Sequence, residues 1–454
     1  MIELKNIKYA YFLGIGGIGM SALARYFHAN GVEVAGYDRV ESPLTKQLVE
    51  EGMSVHYSDN PHLIPQNFLN AEHCLFVYTP AIPKNLAEKN ELINQGFHLY
   101  KRAEVLGLLS RNMFTLAVAG THGKTTVSTM LAWLMQYTET KANAFLGGIS
   151  KNFNSNYVSA ESSNKLVVEA DEFDRSFLHL TPNCSIITST DADHLDIYGT
   201  HQALLNTFQQ FADSNKTCVL IKQGLNIKTK AKQFHYALDD DAADFYGKNF
   251  SLEGMFYRFD LQTPKGVIQG LKLGVPGLLN CENAIAASAM ALMNGLDANN
   301  LKEALQTFSG IKRRFEIIVN RPNFIYIDDY AHHPEEIRKT YESLRKTFPG
   351  KKLTAIFQPH LYSRTNDFAS DFARELSKFD VLILLPIYPA RELPIPGVTS
   401  KLIFDQTENP QKYLLEKSEL LTSLKGMSLD VLVSLGAGDI DRFVPQIKAA
   451  YDSE

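Results

Sequence analysis

Thr115-Leu-Ala-Val-Ala119 runs directly into Gly120-Thr-His-Gly123-Lys124-Thr125-Thr126, and a helical pattern over Val127–Gln136 follows. A buried strand, a glycine turn and a helix in that order put the helix's first N–H groups at a strand end, where they face an anion. The glycines let the backbone wrap a phosphate chain. Lys124 is placed to reach the outer phosphates, and the Thr125 hydroxyl to ligate Mg²⁺. The general phosphate-binding loop has a further glycine five positions before its Gly-Lys pair. Val118 stands there, so this is a shorter variant. Gly120, Thr121, His122, Gly123, Lys124, Thr125 and Thr126 are the predicted ATP-binding segment.

Upstream, an apolar strand over Tyr9–Ile15 overlaps the glycine run Gly14-Ile-Gly16-Gly17-Ile18-Gly19. A helix near Met20–Asn30 follows, then a strand Val32–Tyr37 that ends at Asp38. This fits a dinucleotide-type fingerprint with an acid about 20 residues on. Its physics asks only for a phosphate on a helix N-terminus and a ribose or base near the acid. A uridine diphosphate satisfies that as well as NAD does. Gly14, Gly16, Gly17, Ile18, Gly19 and Asp38 are the predicted sites for it.

Downstream, two apolar strands, Lys165–Val168 and Ser185–Thr188, each end in a polar cluster, Glu169–Asp174 and Asp191–His194. Open parallel sheets bind ligands at the carboxyl ends of their strands. If these strands flank the phosphate-loop strand, Thr125, Glu169 and His194 become the candidate metal set. Magnesium accepts one or two carboxylates beside phosphate oxygens and water. A third region has strands at Phe324–Ile327, Leu353–Phe357, Val381–Leu385 and Val431–Leu435, with a helix from Glu335. It carries Arg313-Arg314, Tyr330, His332-His333, Arg364 and Gly436–Asp439. An arginine fork suits a phosphate or a carboxylate, and a histidine is a candidate base.

The expected fold class is α/β. A Rossmann-like domain would occupy 1–106, a central ATPase-type α/β domain 107–311, and a second Rossmann-like α/β domain 312–454. A net charge of −5 argues against a partner that is a nucleic acid polymer. Cys74, Cys184, Cys218 and Cys281 form no CxxC pair, which predicts reduced, buried thiols. The start, Met1–Lys8, lacks a secretory pattern and no run reaches membrane-span length, so a cytoplasmic protein with no membrane partner is expected.

Nine segments in order resemble the Mur ligase family across nearly the whole chain. They are Gly14–Ser21, Gly120–Thr126, Glu169–Glu172, Asp193–Tyr198, Arg313–Glu316, Tyr330–Pro334, Gln358-Pro-His360 with Ser363-Arg364-Thr365, Tyr388–Ala390, and Gly436–Ile440. The resemblance implies three domains, holding a UDP-sugar, ATP and an amino acid in turn. It implies ATP-dependent joining of L-alanine to the carboxylate of UDP-N-acetylmuramate, with Mg²⁺, by a monomer or homodimer.

By the same resemblance, Asn280, Asn283 and Arg314 join the ATP site. Tyr330, His332, His333 and Arg364 line the amino-acid pocket, and Lys124, His332 and Arg364 are the catalytic candidates. Three positions depart from the family pattern. The adenine segment reads Gly277-Leu-Leu279-Asn280 without its histidine. Leu361 stands where an acceptor-binding arginine is usual. Arg391-Glu392 replaces Gly-Glu, which makes Arg391 a candidate substitute cation. No lysine lies between His194 and Lys216 to serve as the carbamoylated ligand of some sibling enzymes. The alternative readings are a recycling ligase that attaches a preformed tripeptide and, from another class, an NAD-dependent oxidoreductase.

Overall fold

The structure, a computed structural model, describes residues 4–70, 72–160, 163–191, 195–390 and 392–452. Its contacts divide the chain into two compact units. The first is Met1–Lys248 with Asp260–Leu271 and Asn283–Ser309; the second is Asn249–Phe259 with Lys272–Glu282 and Gly310–Glu454.

Three sheets carry the fold. The first contains β1 (Tyr9–Leu13), β2 (Glu33–Tyr37), β3 (Ser54–His56), β4 (Cys74–Tyr78) and β5 (Leu99–Lys101), all parallel in the order β3-β2-β1-β4-β5. Both faces of β1 are buried, which is why it reads as an unbroken apolar run. Ala10 and Phe12 enter one core cluster with Leu23 and Phe27 of the helix Ile18–Ala29. Tyr11 and Leu13 enter another with Phe68 and Phe76.

The second sheet has β6 (Phe114–Ala119), β7 (Asn143–Ser150), β8 (Ser155–Val158), β9 (Lys165–Ala170), β10 (Cys184–Ile187), β11 (Cys218–Lys222), β12 (Lys232–Ala237), β13 (Phe245–Glu253), β14 (Phe256–Thr263) and β15 (Gly266–Pro276). Their order is β15-β14-β13-β12-β11-β10-β6-β9-β7-β8. The sequence reading found only three of these ten strands. Those three, β6, β9 and β10, are buried and continuously apolar. The strands β13 to β15 alternate buried and exposed positions, which dilutes their signal.

The third sheet has β16 (Glu316–Arg321), β17 (Phe324–Asp329), β18 (Leu353–Phe357), β19 (Val381–Leu384), β20 (Gln411–Leu414) and β21 (Val431–Leu435). The order is β16-β17-β21-β18-β19-β20, and β16 alone runs antiparallel. The helix Pro334–Thr347 starts after β17 with His333 at its N-cap, proline at its first position and Glu335 and Glu336 in its first turn. All four cysteines are free and buried, as expected. Cys184 and Cys218, paired in register on β10 and β11, bring their sulfurs 3.2 Å apart.

Within the first unit, the helix Ile18–Ala29 is fastened to β7 and β8. Tyr26 packs on Phe145 and Tyr157 at centroid distances of 5.6 and 5.9 Å. Beside them, buried Arg25 pairs with Glu51 at 2.7 Å and donates to Asn156 Oδ1. Asn156 Nδ2 donates to Ile18 O at 2.6 Å and to Ser21 Oγ at 2.9 Å. Asn156→Ala leaves a buried guanidinium donor without its partner and removes one of two side-chain hydrogen bonds to Ile18 O, the other coming from Ser21 Oγ. It is expected to cost about 1–3 kcal/mol, read as a lower midpoint of unfolding; an unchanged midpoint contradicts the assignment.

Candidate active site

The loop after β6 adopts the backbone its glycines permit. Gly120 has φ 137° and Gly123 has φ 83°, both in the region that L side chains avoid. Space is short as well: a Cβ on Gly120 would lie 2.1 Å from Thr188 Oγ1. The loop is buttressed from the segment after β10. Ser189 Oγ accepts from His122 N at 2.7 Å and lies 3.0 Å from Thr121 Oγ1, while Asp191 N donates to Thr121 Oγ1 at 3.1 Å. Lys124 and Thr125 then open the helix Lys124–Met135. Asn283 lies beside this loop, its Oδ1 3.3 Å from where a Cβ on Gly123 would be.

The condition set for the acidic strand is met. β6 lies between β10 and β9, with Val118 in register with Glu169. The Glu169 carboxylate rests against Gly147 of β7, where any Cβ would fall 2.1 Å from Oε2. Lys124 Nζ is buried and contacts Glu172 Oε2 at 2.7 Å, Glu172 Oε1 at 2.9 Å and Gly120 O at 2.7 Å. Burial pulls the lysine's pKa down, but the charges of Glu172, Asp171 and Glu169 overcome it and hold the ammonium above its ordinary value. Glu172 appeared in the sequence only as part of the Glu169–Glu172 segment, and its role as the lysine's partner was missed. Tyr198 OH donates to Glu172 O at 2.5 Å, which fixes that turn. His194, the third member of the predicted metal set, and Arg391, the candidate substitute cation, lie outside the described residues.

In the first glycine loop, Gly14 has φ 88° and packs against Thr79. The Asp38 carboxylate accepts from Gly16 N at 2.8 Å and from Val40 N at 3.3 Å. One of its oxygens therefore organises the loop, a use that spacing alone did not reveal.

In the second unit, one cluster forms at the ends of β17, β18 and β19. His332 Nδ1 lies 3.0 Å from Tyr330 O and 3.2 Å from Glu336 Oε2. Both are acceptors, so Nδ1 carries the proton and Nε2 keeps the lone pair. The His360 ring is 5.8 Å from that of His332 and stacks on Tyr388 at 5.8 Å, and its Nδ1 is 3.4 Å from Arg364 Nη1. His360 and Tyr388 had been noted only as motif members. Arg313 and Arg314 lie over the Tyr330 ring at 5.2 and 4.8 Å. His333 is turned elsewhere: its ring meets Phe368 at 4.9 Å and its Nδ1 accepts from Glu335 N at 3.4 Å. Asn280 Nδ2 donates to Pro276 O at 2.7 Å.

Leu361 follows His360 at φ 72° and ψ 140°, a strained backbone for a branched residue. Its N–H donates to Tyr388 O at 3.0 Å, which ties the two loops together. Glu392 accepts from Ser363 N at 2.9 Å and from Ser363 Oγ.

Burial, with the charge of Arg364, pulls His332 down to about 4 against the pull of Glu336. Burial and the neighbouring His332 and Arg364 bring His360 to about 4 as well. Both rings are neutral at pH 7. Between the ordinary histidine pKa and about 4, the unfolded chain takes up protons that the folded chain refuses. Stability from these two groups is therefore full above about 6.5 and falls as pH drops toward 4. His332→Asn is expected to flatten the loss of stability between pH 6.5 and 4.5, followed by urea unfolding at each pH. An unaltered profile contradicts the burial of a neutral ring.

Three family profiles match the sequence in order. "Mur ligase family, catalytic domain" covers residues 9–113, "Mur ligase middle domain" 118–291, and "Mur ligase, glutamate ligase domain" 313–440. The chain is 47% identical over 455 residues to the UDP-N-acetylmuramate–L-alanine ligase of Flavobacterium psychrophilum, with 100% of each chain covered. It is 47% identical over 449 residues to the enzyme of that name from Porphyromonas gingivalis, covering 97% of this chain and 98% of that one. Among solved structures it is similar to the UDP-N-acetylmuramate-alanine ligase of Thermotoga maritima, at 27% identity and a TM-score of 0.83, with 98% and 99% of the two chains covered. A murein peptide ligase from Psychrobacter arcticus shares the fold at 22% identity and a TM-score of 0.70. Matched by successive profiles from residue 9 to residue 440, the chain belongs to the Mur ligase family.

Proposed function

We propose that this chain joins L-alanine to the carboxylate of UDP-N-acetylmuramate, converting ATP to ADP and phosphate, in the synthesis of peptidoglycan precursors. The observation that carries this reading is full-length identity of 47% to a ligase of that name. The reaction belongs in the cytoplasm, where ATP is supplied; no described helix is long and apolar enough to cross a membrane.

A carboxylate does not condense with an amine at neutral pH, because its leaving group would be oxide. The muramoyl carboxylate oxygen instead attacks the γ-phosphorus of ATP, and ADP leaves. The amine of alanine attacks the resulting acyl phosphate at carbon, phosphate leaves, and the amine's proton passes to a base. Lys124 is the cation for the β- and γ-phosphates. Its present partner Glu172 exchanges for phosphate oxygens when nucleotide arrives. The oxygen donors Thr125 and Glu169 suit magnesium, and with His194 they would hold it. When bound, the ion neutralises phosphate charge.

Residues 1–106 would carry the UDP-sugar, 107–311 ATP, and 312–454 the amino acid. Gly120–Thr126, Asn280, Asn283 and Arg314 serve the nucleotide. Gly14, Gly16, Gly17, Ile18, Gly19 and Asp38 serve the UDP moiety. Tyr330, His332 and Arg364 serve alanine, with Arg364 as its carboxylate's partner in place of the arginine that Leu361 displaces, and His333, packed on Phe368 at the helix N-cap, holds the turn that carries Tyr330 and His332. His332 Nε2 is the base.

Lys124→Ala is expected to reduce phosphate release by a factor of about 10³ or more while UDP-N-acetylmuramate still binds. Full activity in that variant rejects the phosphate role. Release of AMP rather than ADP excludes the acyl phosphate. Faster turnover with a tripeptide than with alanine assigns the chain to the recycling reaction.

A further inference from the structure

The cleft beside the first glycine loop holds a cation that the proposed reaction has not yet employed. A space of about 260 Å³ is lined by Gly17, Ile18, Gly19, Arg102, Glu169 and Asp171, among others. Arg102 opens the helix Arg102–Asn112 directly after β5, one strand out from β4 and two from β1. Its side chain lies flat against Gly19: a Cβ there would fall 2.5 Å from Nη1 and 2.9 Å from Cδ. Gly19 is an ordinary helical residue without a positive φ. What its missing side chain provides is room for the arginine.

This placement is electrostatically awkward without a ligand. The first turn of a helix presents partial positive charge, and a guanidinium set against it is repelled. Among the described residues Arg102 makes no hydrogen bond, and its ion pair with Asp171 is stretched to 3.8 Å. Five N–H donors in a fixed fork thus face a cleft that already has a helix N-terminus on one wall. An anion there would meet the guanidinium and the helix N–H groups together, and the repulsion between them would be offset.

We propose that Arg102 binds the diphosphate of the sugar nucleotide, its guanidinium set beside the N–H groups that open the helix Ile18–Ala29. The inference rests on the reading that the substrate is a UDP-sugar. The diphosphate is favoured over the muramoyl carboxylate because Arg102 touches the phosphate-binding helix itself, while its acidic side is already taken by Asp171.

The test uses Arg102→Gln, Arg102→Lys and Gly19→Ala in the full chain. Calorimetry measures UDP and UDP-N-acetylmuramate binding without ATP, and ATP binding separately. Arg102→Gln and Gly19→Ala are each expected to weaken both uridine ligands by about tenfold or more, by similar factors, with ATP affinity unchanged. Arg102→Lys recovers part of the loss. Gly19→Ala adds nothing in the Arg102→Gln background, because both act through one contact. Unaltered UDP binding in Arg102→Gln overturns the proposal. A loss confined to the complete UDP-sugar also does so and moves Arg102 to the carboxylate. A parallel loss of ATP binding makes its role structural. If the wild-type chain binds neither uridine ligand, the substrate assignment itself fails, which is a distinct outcome.

Discussion

An ammonium stays charged inside a protein only where negative charge offsets its lost hydration. The buried Lys124 meets that condition through Glu172, Asp171 and Glu169, all at the end of β9 or just beyond it. That requirement dictates the order of the central sheet: the strand bearing the lysine's loop must lie beside the strand bearing the acids, and β6 and β9 are neighbours in register. The same carboxylates have the chemistry to hold a divalent cation, so on the proposed function Lys124 and the acids would share their charges with a nucleotide's phosphates.

The first sheet solves a related problem with the opposite sign. Its glycine loop concentrates N–H groups at a helix start, and the structure adds Arg102 there instead of an acid. The same cleft is lined by Glu169 and Asp171, and Arg102 lies 3.8 Å from the Asp171 carboxylate, so both signs of charge meet in it. Aromatic contacts among Tyr26, Phe145 and Tyr157 and the Arg25–Asn156 link keep the two walls in register.

The strands that carry the loops, β1, β6, β9, β10 and β17, and both glycine loops were legible because each is a local pattern: an apolar run, a glycine turn, a helix. That β9 and β10 flank β6 was only a condition in the sequence, and the strand order meets it. Arg102 was not legible, since nothing local distinguishes an arginine at a helix start from a solvated one. Its meaning comes from Gly19, 83 positions earlier in the sequence numbering. Asp38 shows the converse. Its spacing pointed to a ribose, yet the folded chain commits one of its oxygens to Gly16 N. His332 and His333, adjacent in sequence, diverge because the second caps a helix while the first faces His360. The β13–β15 strands escaped notice because their alternation spreads the apolar signal.

Leu361 brings no cation to the cluster in the second unit, where Arg364 and Arg314 lie close enough to act on His332. Burial, helped by the charges of Arg364 and Arg314, depresses His332 and leaves a neutral imidazole whose free nitrogen is Nε2. A pKa of about 4 makes a weak base. On the proposed function, an acceptor carboxylate seated on Arg364 would offset one of the lesser depressing charges, and Glu336 on Nδ1 would then act with less opposition. Leu361 contributes no charge. Its strained backbone instead ties the His360 loop to Tyr388 through one hydrogen bond. That connection joins the two loops whose His360 and Tyr388 rings stack, and Arg364 Nη1 lies 3.4 Å from His360 Nδ1, so position 361 bears on the cluster through its backbone.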